Sequence, residues 1–209
     1  AFLEEGVASR LPAAAVLAAA DRACAHVFDL LGSGPVCLGD PIDWHRDFKT
    51  GYRWEPSRHF REVETPFGKG DIKVPWELSR FQHAMFLGAA YRITRDEKYA
   101  LEFVGQISDW IGSNRPGFGV NWACAMDVAI RACNWLAGLS FFRDSPSLGA
   151  PFVLKLLKNL YVHGRHLRRN LEKSGEGTGN HYLSDLSGLL FLGVLVPEFR
   201  EAGEWKSFA

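Results

Sequence analysis

The stretch 177–199, "GTGNHYLSDLSGLLFLGVLVPEF", sets Asn180 and His181 between glycines and a run that is apolar on nearly every side. A helix without a polar face needs neighbours all round it. The preceding chain offers them: apolar residues recur with helical period over about 76–93, 96–113, 122–143 and 147–173, and a short amphipathic piece follows near 197–207. Links such as "TRDE" and "RDSPS" are short, which makes consecutive helices antiparallel neighbours. Hairpins of similar length, some mixed and some almost wholly apolar, fit two layers of inner and outer helices better than a four-helix bundle. The expected fold is all-α, an incomplete (α/α) toroid or partial barrel forming one domain over residues 1–209.

The N-terminal third departs from this rhythm. A first helix is expected from about Pro12, well placed at a helix start, to Leu31, stopping at "GSGP". Residues 32–74 carry Gly, Pro and charge but no helical stripe. A segment this long is either functional or disordered. Its aromatics, Trp44, Phe48, Tyr52, Trp54, Phe60 and Phe67, argue for an ordered one, since they can bury surface.

Composition excludes several classes of function. Lys plus Arg and Asp plus Glu number 24 each, so no net field points to nucleic acid or an anionic membrane. The longest apolar run, 186–196, falls well short of the roughly 20 residues that cross a bilayer. The Ala-rich N-terminus carries Glu4 and Glu5 early and its helical pattern continues through Arg22 to Leu31 without a cleavage region, so a signal peptide was either removed or never existed. Cys24, Cys37, Cys124 and Cys133 form no C-x-x-C, so neither a zinc site nor a redox pair is suggested, and Cys124 and Cys133 read as buried free thiols. No metal and no cofactor are expected.

Four stretches could carry chemistry. In "DIKVPWELSRFQH", residues 71–83, Trp76 could stack on a sugar ring while Lys73 and Arg80 meet carboxylates or sulfates. The plainer reading is a helix start with a Glu77–Arg80 pair and Trp76 in the core. In "NWACAMDVAIRACNW", residues 121–135, Asn121 sits at a cap-like position before Trp122. Asp127 and Arg131 follow at i and i+4 in an otherwise apolar helix, where a charge must find a partner. Either they pair with each other, or Arg131 reaches an anionic ligand. Lys155, Lys158, Arg165, His166, Arg168, Arg169 and Lys173, with Glu172 the single acid among them, read as a solvated outer face, with a polyanion-guiding strip as the alternative. Finally, the glycines before Asn180 and His181 let a ligand approach a helix N-terminus, whose free N–H groups and dipole favour an anion. The plain alternative makes Asn180 simply the N-cap.

Taken in order, "IDWHRDFKTGYRW", "DIKVPWELSRFQH", "NWACAMDVAIRACNW" and "NHYLSDLSGLLFLGVLVPEFREAGEW" resemble stretches of the heparinase II/III-like polysaccharide lyases over about residues 40–205. The resemblance implies an N-terminal α/α toroid, a C-terminal β-sandwich lying outside this sequence, and a periplasmic or secreted setting. It also implies β-elimination on a uronate-containing anionic polysaccharide, with Asn180 and His181 as the catalytic pair that binds the uronate carboxylate. Lys73, Trp76, Arg80, Asn121, Trp122 and Arg131 are the expected cleft lining. The family's catalytic tyrosine corresponds to a position beyond Ala209, and Tyr182 does not match it. Two rivals stand beside this reading: a non-catalytic anionic-glycan-binding domain, and a glycoside hydrolase using Glu77 and Asp127.

Overall fold

A computed structural model describes residues 12–65, 68–173 and 179–209. Eight α-helices are described: α1 Ala13–Cys24, α2 Lys73–Ser79, α3 Ala84–Thr94, α4 Glu97–Ser113, α5 Ala125–Phe141, α6 Ala150–Arg169, α7 Asn180–Leu195 and α8 Ala202–Phe208. Helices α1, α3, α5 and α7 pack side by side in that order, while α4 and α6 pack on each other and back onto this row. This is the expected two-layer α/α arc.

The row is tight because small residues sit at its contacts. A Cβ added to Gly188 of α7 would stand 2.7 Å from the Cβ of Ala129 on α5. Tryptophans fill the space between the layers: Trp110, Trp122 and Trp135 are fully buried, with Trp110 and Trp135 edge to face at 5.3 Å. The outward side of α7 is less covered, leaving Leu183, Val194 and Leu195 exposed. Among the described residues, no helix is long and apolar enough to cross a membrane.

Two helix boundaries differ from the sequence reading, each for a local reason. α1 ends at Cys24 rather than Leu31, because His26 turns into the left-handed region (φ 51°) and Val27–Phe28 pairs antiparallel with Val36–Cys37 as β1 and β2. The single helix expected over 76–93 is two, α2 and α3, broken where Phe81 adopts φ 59°. That turn drives the Phe81 ring into the core, stacked on Trp44 at 5.2 Å and edge-on to Trp135 at 5.5 Å. Burial of two aromatic faces outweighs a backbone cost of about 1–2 kcal/mol.

The irregular segment is folded as its aromatics implied. Trp44 is fully buried and donates from Nε1 to Asp109 at 2.7 Å, and buried Trp54 donates to the Glu64 carbonyl at 2.9 Å. Asp47, also buried, gathers the segment by accepting from the Lys49 and Asp71 backbone N–H groups and from the Thr50 hydroxyl. Phe67 lies outside the described residues.

Candidate active site at the mouth of the seventh helix

α7 starts at Asn180, with Gly179 in the cap position and no side-chain cap of the first turn among the described residues. Asn180 is therefore the first helical residue and not the N-cap. Its side chain is exposed and has no partner among the described residues, so its amide and the open first-turn N–H groups are available to an anion. The stretch 174–178, with the glycines at 175 and 177, lies outside the described residues.

His181 stands one residue further, with 42% of its side chain exposed. Its Nδ1 is 3.3 Å from Glu172 Oε2, just beyond the end of α6. That same oxygen accepts from the Met126 backbone N–H at 2.8 Å and from the Cys124 thiol at 3.4 Å. Met126 belongs to the first turn of α5, whose N-cap residue Cys124 offers no side-chain cap. Glu172 thus supplies the negative charge that α5's dipole and free N–H groups attract. From below, Asp185 of α7 accepts from the Glu172 backbone N–H at 2.7 Å. Asp185 is fully buried, and burial pushes its carboxyl up to about 6 although that N–H pulls the other way. Its Oδ1 finds no partner among the described residues.

On the other side of α5, Asp127 is buried and accepts from Arg80 Nε at 2.6 Å, while Glu77 accepts from Arg80 Nη1. The Glu77–Arg80 pair is the one the sequence suggested. The Asp127–Arg131 pair is not formed. Asp127 looks toward α2 instead, because Arg131 points inward. Glu77 and Asp127 are joined through one guanidinium, which leaves neither carboxylate free as an acid or base for glycoside hydrolysis. A polar chain therefore runs from Glu77 through Arg80 and Asp127 to Cys124, Glu172 and His181, across the ends of α2, α5, α6 and α7.

The six expected lining residues divide. Trp76 is half-buried, with Nε1 donating to the Val120 carbonyl at 2.8 Å, which fixes its ring without sealing it. Arg80 is half-buried at the edge of the polar chain and Lys73 is exposed at the start of α2. Asn121, Trp122 and Arg131 are interior, at 1%, 0% and 0% exposure, so they support the site rather than line it. Asn121 lies in a 3-10 turn, Val120–Trp122, and donates to the Trp44 carbonyl and Asn114 Oδ1. Arg131 donates from Nε to His163 at 2.9 Å and lies 4.1 Å from the Trp110 ring centroid. Burial pulls this guanidinium down to about 9. A cavity of about 350 Å³ beside Asp43, His45, Arg53 and Asp109 involves none of these candidates.

Sequence reasoning did not single out Glu172 and Asp185. Asp185 was recoverable, lying one helical turn after His181 on the same face. The signal for Glu172 was weaker: it is the single acid of a basic helix end.

The two-layer arc, with polar groups gathered across the ends of α2, α5, α6 and α7, defines a toroidal α/α domain. The chain belongs to the Heparinase II/III N-terminus family, whose sequence model matches residues 8–209. Among curated proteins it is similar to a heparin-sulfate lyase of Pedobacter heparinus, 30% identical over 141 residues, covering 65% of this chain and 21% of that protein. A heparin-sulfate lyase of Bacteroides stercoris is 28% identical over 157 residues, covering 65% of this chain and 23% of its own length. Among solved structures, a heparan sulfate lyase from Pedobacter heparinus superposes with a TM-score of 0.74 at 27% identity, covering 94% of this chain and 28% of that one. The chain thus spans between a fifth and a third of the length of these relatives.

Proposed function

We propose that this chain is the uronate-gripping part of a polysaccharide lyase that cleaves a uronic-acid-containing polymer by β-elimination. The observation that carries the reading is the mouth of α7, where an exposed Asn180 amide, a half-exposed His181 imidazole and uncapped backbone N–H groups converge. In β-elimination the proton on C5 of the uronate leaves first, the electron pair delocalises into the adjacent carboxylate, and the 4-O-glycosidic bond breaks to leave an unsaturated sugar. Charge grows on the carboxylate oxygens as the proton departs. Donors aimed there bind the transition state more tightly than the ground state, and one such donor is worth roughly 3–4 kcal/mol.

Asn180 contributes its amide N–H, and His181 contributes Nε2, the nitrogen left over when Nδ1 faces Glu172. Trp76 offers a ring face to a pyranose, and Lys73 and Arg80 offer cations to carboxylates or sulfates further along the chain. Arg80 is the weaker anion binder, since Glu77 and Asp127 already engage it. Asn121, Trp122 and Arg131 hold the floor beneath. The groups that move the proton come from parts of the full-length protein outside this chain, a β-sandwich domain among them. The names of the similar proteins favour a heparin- or heparan-sulfate-like polymer over other uronates.

The test incubates the full-length protein with heparan sulfate, alginate and glucuronan and follows ultraviolet absorbance of unsaturated ends. Product from at least one uronate polymer, with the largest rate on heparan sulfate, is the expected result. Binding without product would make the domain a glycan-binding module instead, and products lacking a double bond would mean hydrolysis.

A further inference from the structure

Three different metal-ligating side chains meet beneath His181: Cys124 Sγ, Glu172 Oε2 and His181 Nδ1 all lie within 4.8 Å of one another. The separations are 3.4 Å from sulfur to oxygen, 3.9 Å from sulfur to nitrogen and 3.3 Å from nitrogen to oxygen. Ligand bonds of about 2.3 Å to sulfur and 2.0–2.1 Å to nitrogen or oxygen, set at tetrahedral angles, give edges of about 3.6 Å to sulfur and about 3.3 Å between nitrogen and oxygen. The three atoms therefore already occupy one face of a zinc-sized tetrahedron.

The surroundings also favour a cation. A thiol S–H and an imidazole nitrogen converge on one carboxylate oxygen, an arrangement in which a divalent ion can take the place of a proton. Asp127 stands against Cys124 and Asp185 against Glu172, both buried, and Asp185 keeps its Oδ1 without a partner among the described residues. Arg80 balances Asp127, whereas Asp185 has no ion-pair partner among the described residues. Glu172 is held by the Met126 and Asp185 contacts, the kind of outer-shell support that orients metal ligands.

We infer that Cys124, Glu172 and His181 form a binding site for a borderline-soft divalent cation of the zinc type, with the fourth position open on the exposed side of His181. Binding releases the Cys124 thiol proton, so that the thiolate coordinates, and moves any proton on His181 to Nε2. Through the function proposed above, and only through it, this has a consequence for the substrate: a metal on Nδ1 keeps Nε2 as an N–H donor facing the uronate. The ligand set escapes a spacing search because its members are 48 and 9 residues apart and come from the ends of three helices.

The experiment titrates Co²⁺ into metal-stripped full-length protein and reads the thiolate-to-cobalt charge-transfer band, which needs no substrate. The expected result is a band that saturates at one equivalent, is lost in Cys124→Ser, and shows about 10–100-fold weaker Co²⁺ affinity in Asp185→Asn. Should Cys124→Ser fail to fold, His181→Ala takes its place, since this half-exposed residue can be removed without opening the core. Absence of the band in the wild type overturns the assignment. So does a band that persists undiminished in the Cys124 or His181 variant. The cobalt band is read without substrate, so the metal site and the lyase reading can fail separately.

Discussion

Arg131 and His181 each set a polar side chain against the helix layers, and the two have opposite fates. Around Arg131 the chain closes completely: Trp110, Trp122, Trp135, His163 and His166 wall the guanidinium off from water. Around His181 it stays open, and the imidazole meets Glu172 with 42% of its side chain still exposed. Both sites hold a polar group rigidly. Only the open one can exchange its partner for a ligand, so rigidity marks a functional site only where solvent or substrate can still reach it.

The closed site carries the largest expected stability effect. Arg131→Ala removes the donor to His163 Nε2 and to the Asn121 carbonyl and leaves a void between three tryptophans. A loss of about 3–5 kcal/mol is expected in denaturant unfolding. A change under 1 kcal/mol would mean that the nest is less tightly built than its geometry indicates. Next comes the seam that carries the open site. Gly188→Ala forces a methyl against Ala129 and should cost about 1–3 kcal/mol, moving the mouth of α7 relative to α5.

The closed nest should also respond to acid. Burial, reinforced by the Arg131 charge, holds His166 at about 4 and His163 well below its usual value. Both folded-state values lie below the unfolded value of about 6.5, so the unfolded chain takes up more protons as pH falls. Stability is therefore full above about pH 6.5 and declines as pH drops toward 4. Unfolding midpoints measured at stepped pH check both sign and window, and a midpoint flat over that range would contradict neutral buried imidazoles. The smallest effect belongs to the exposed edge. Lys73→Ala should change stability by less than about 0.5 kcal/mol while weakening polymer binding chiefly at low salt.

The same contrast explains what the sequence could tell. The order of helices was legible because apolar periodicity is written locally, and α7 covers the apolar run that follows Asn180 and His181. The breaks at His26 and Phe81 were not legible. Each is a left-handed residue whose reason is tertiary, a β-pairing in one case and an aromatic stack on Trp44 in the other. Asn180 and His181 stood out because glycines and polar residues precede a run with no polar face. Glu172 and Cys124 did not, since their meaning arises only when the ends of α5, α6 and α7 come together. Asp127 and Arg131 show the limit of spacing most clearly: i and i+4 allowed a pair, and the packing sent the two side chains in different directions.

The central claim is that Asn180 and His181 serve the transition state and contribute little to the fold. The direct measurement compares turnover of heparan sulfate with the unfolding midpoint for Asn180→Ala and His181→Ala in the full-length protein. Turnover lower by about 10²–10³-fold with the midpoint within about 0.5 kcal/mol of wild type is the predicted result. Wild-type turnover in both variants, or a loss of turnover that merely follows a loss of folded protein, would contradict it.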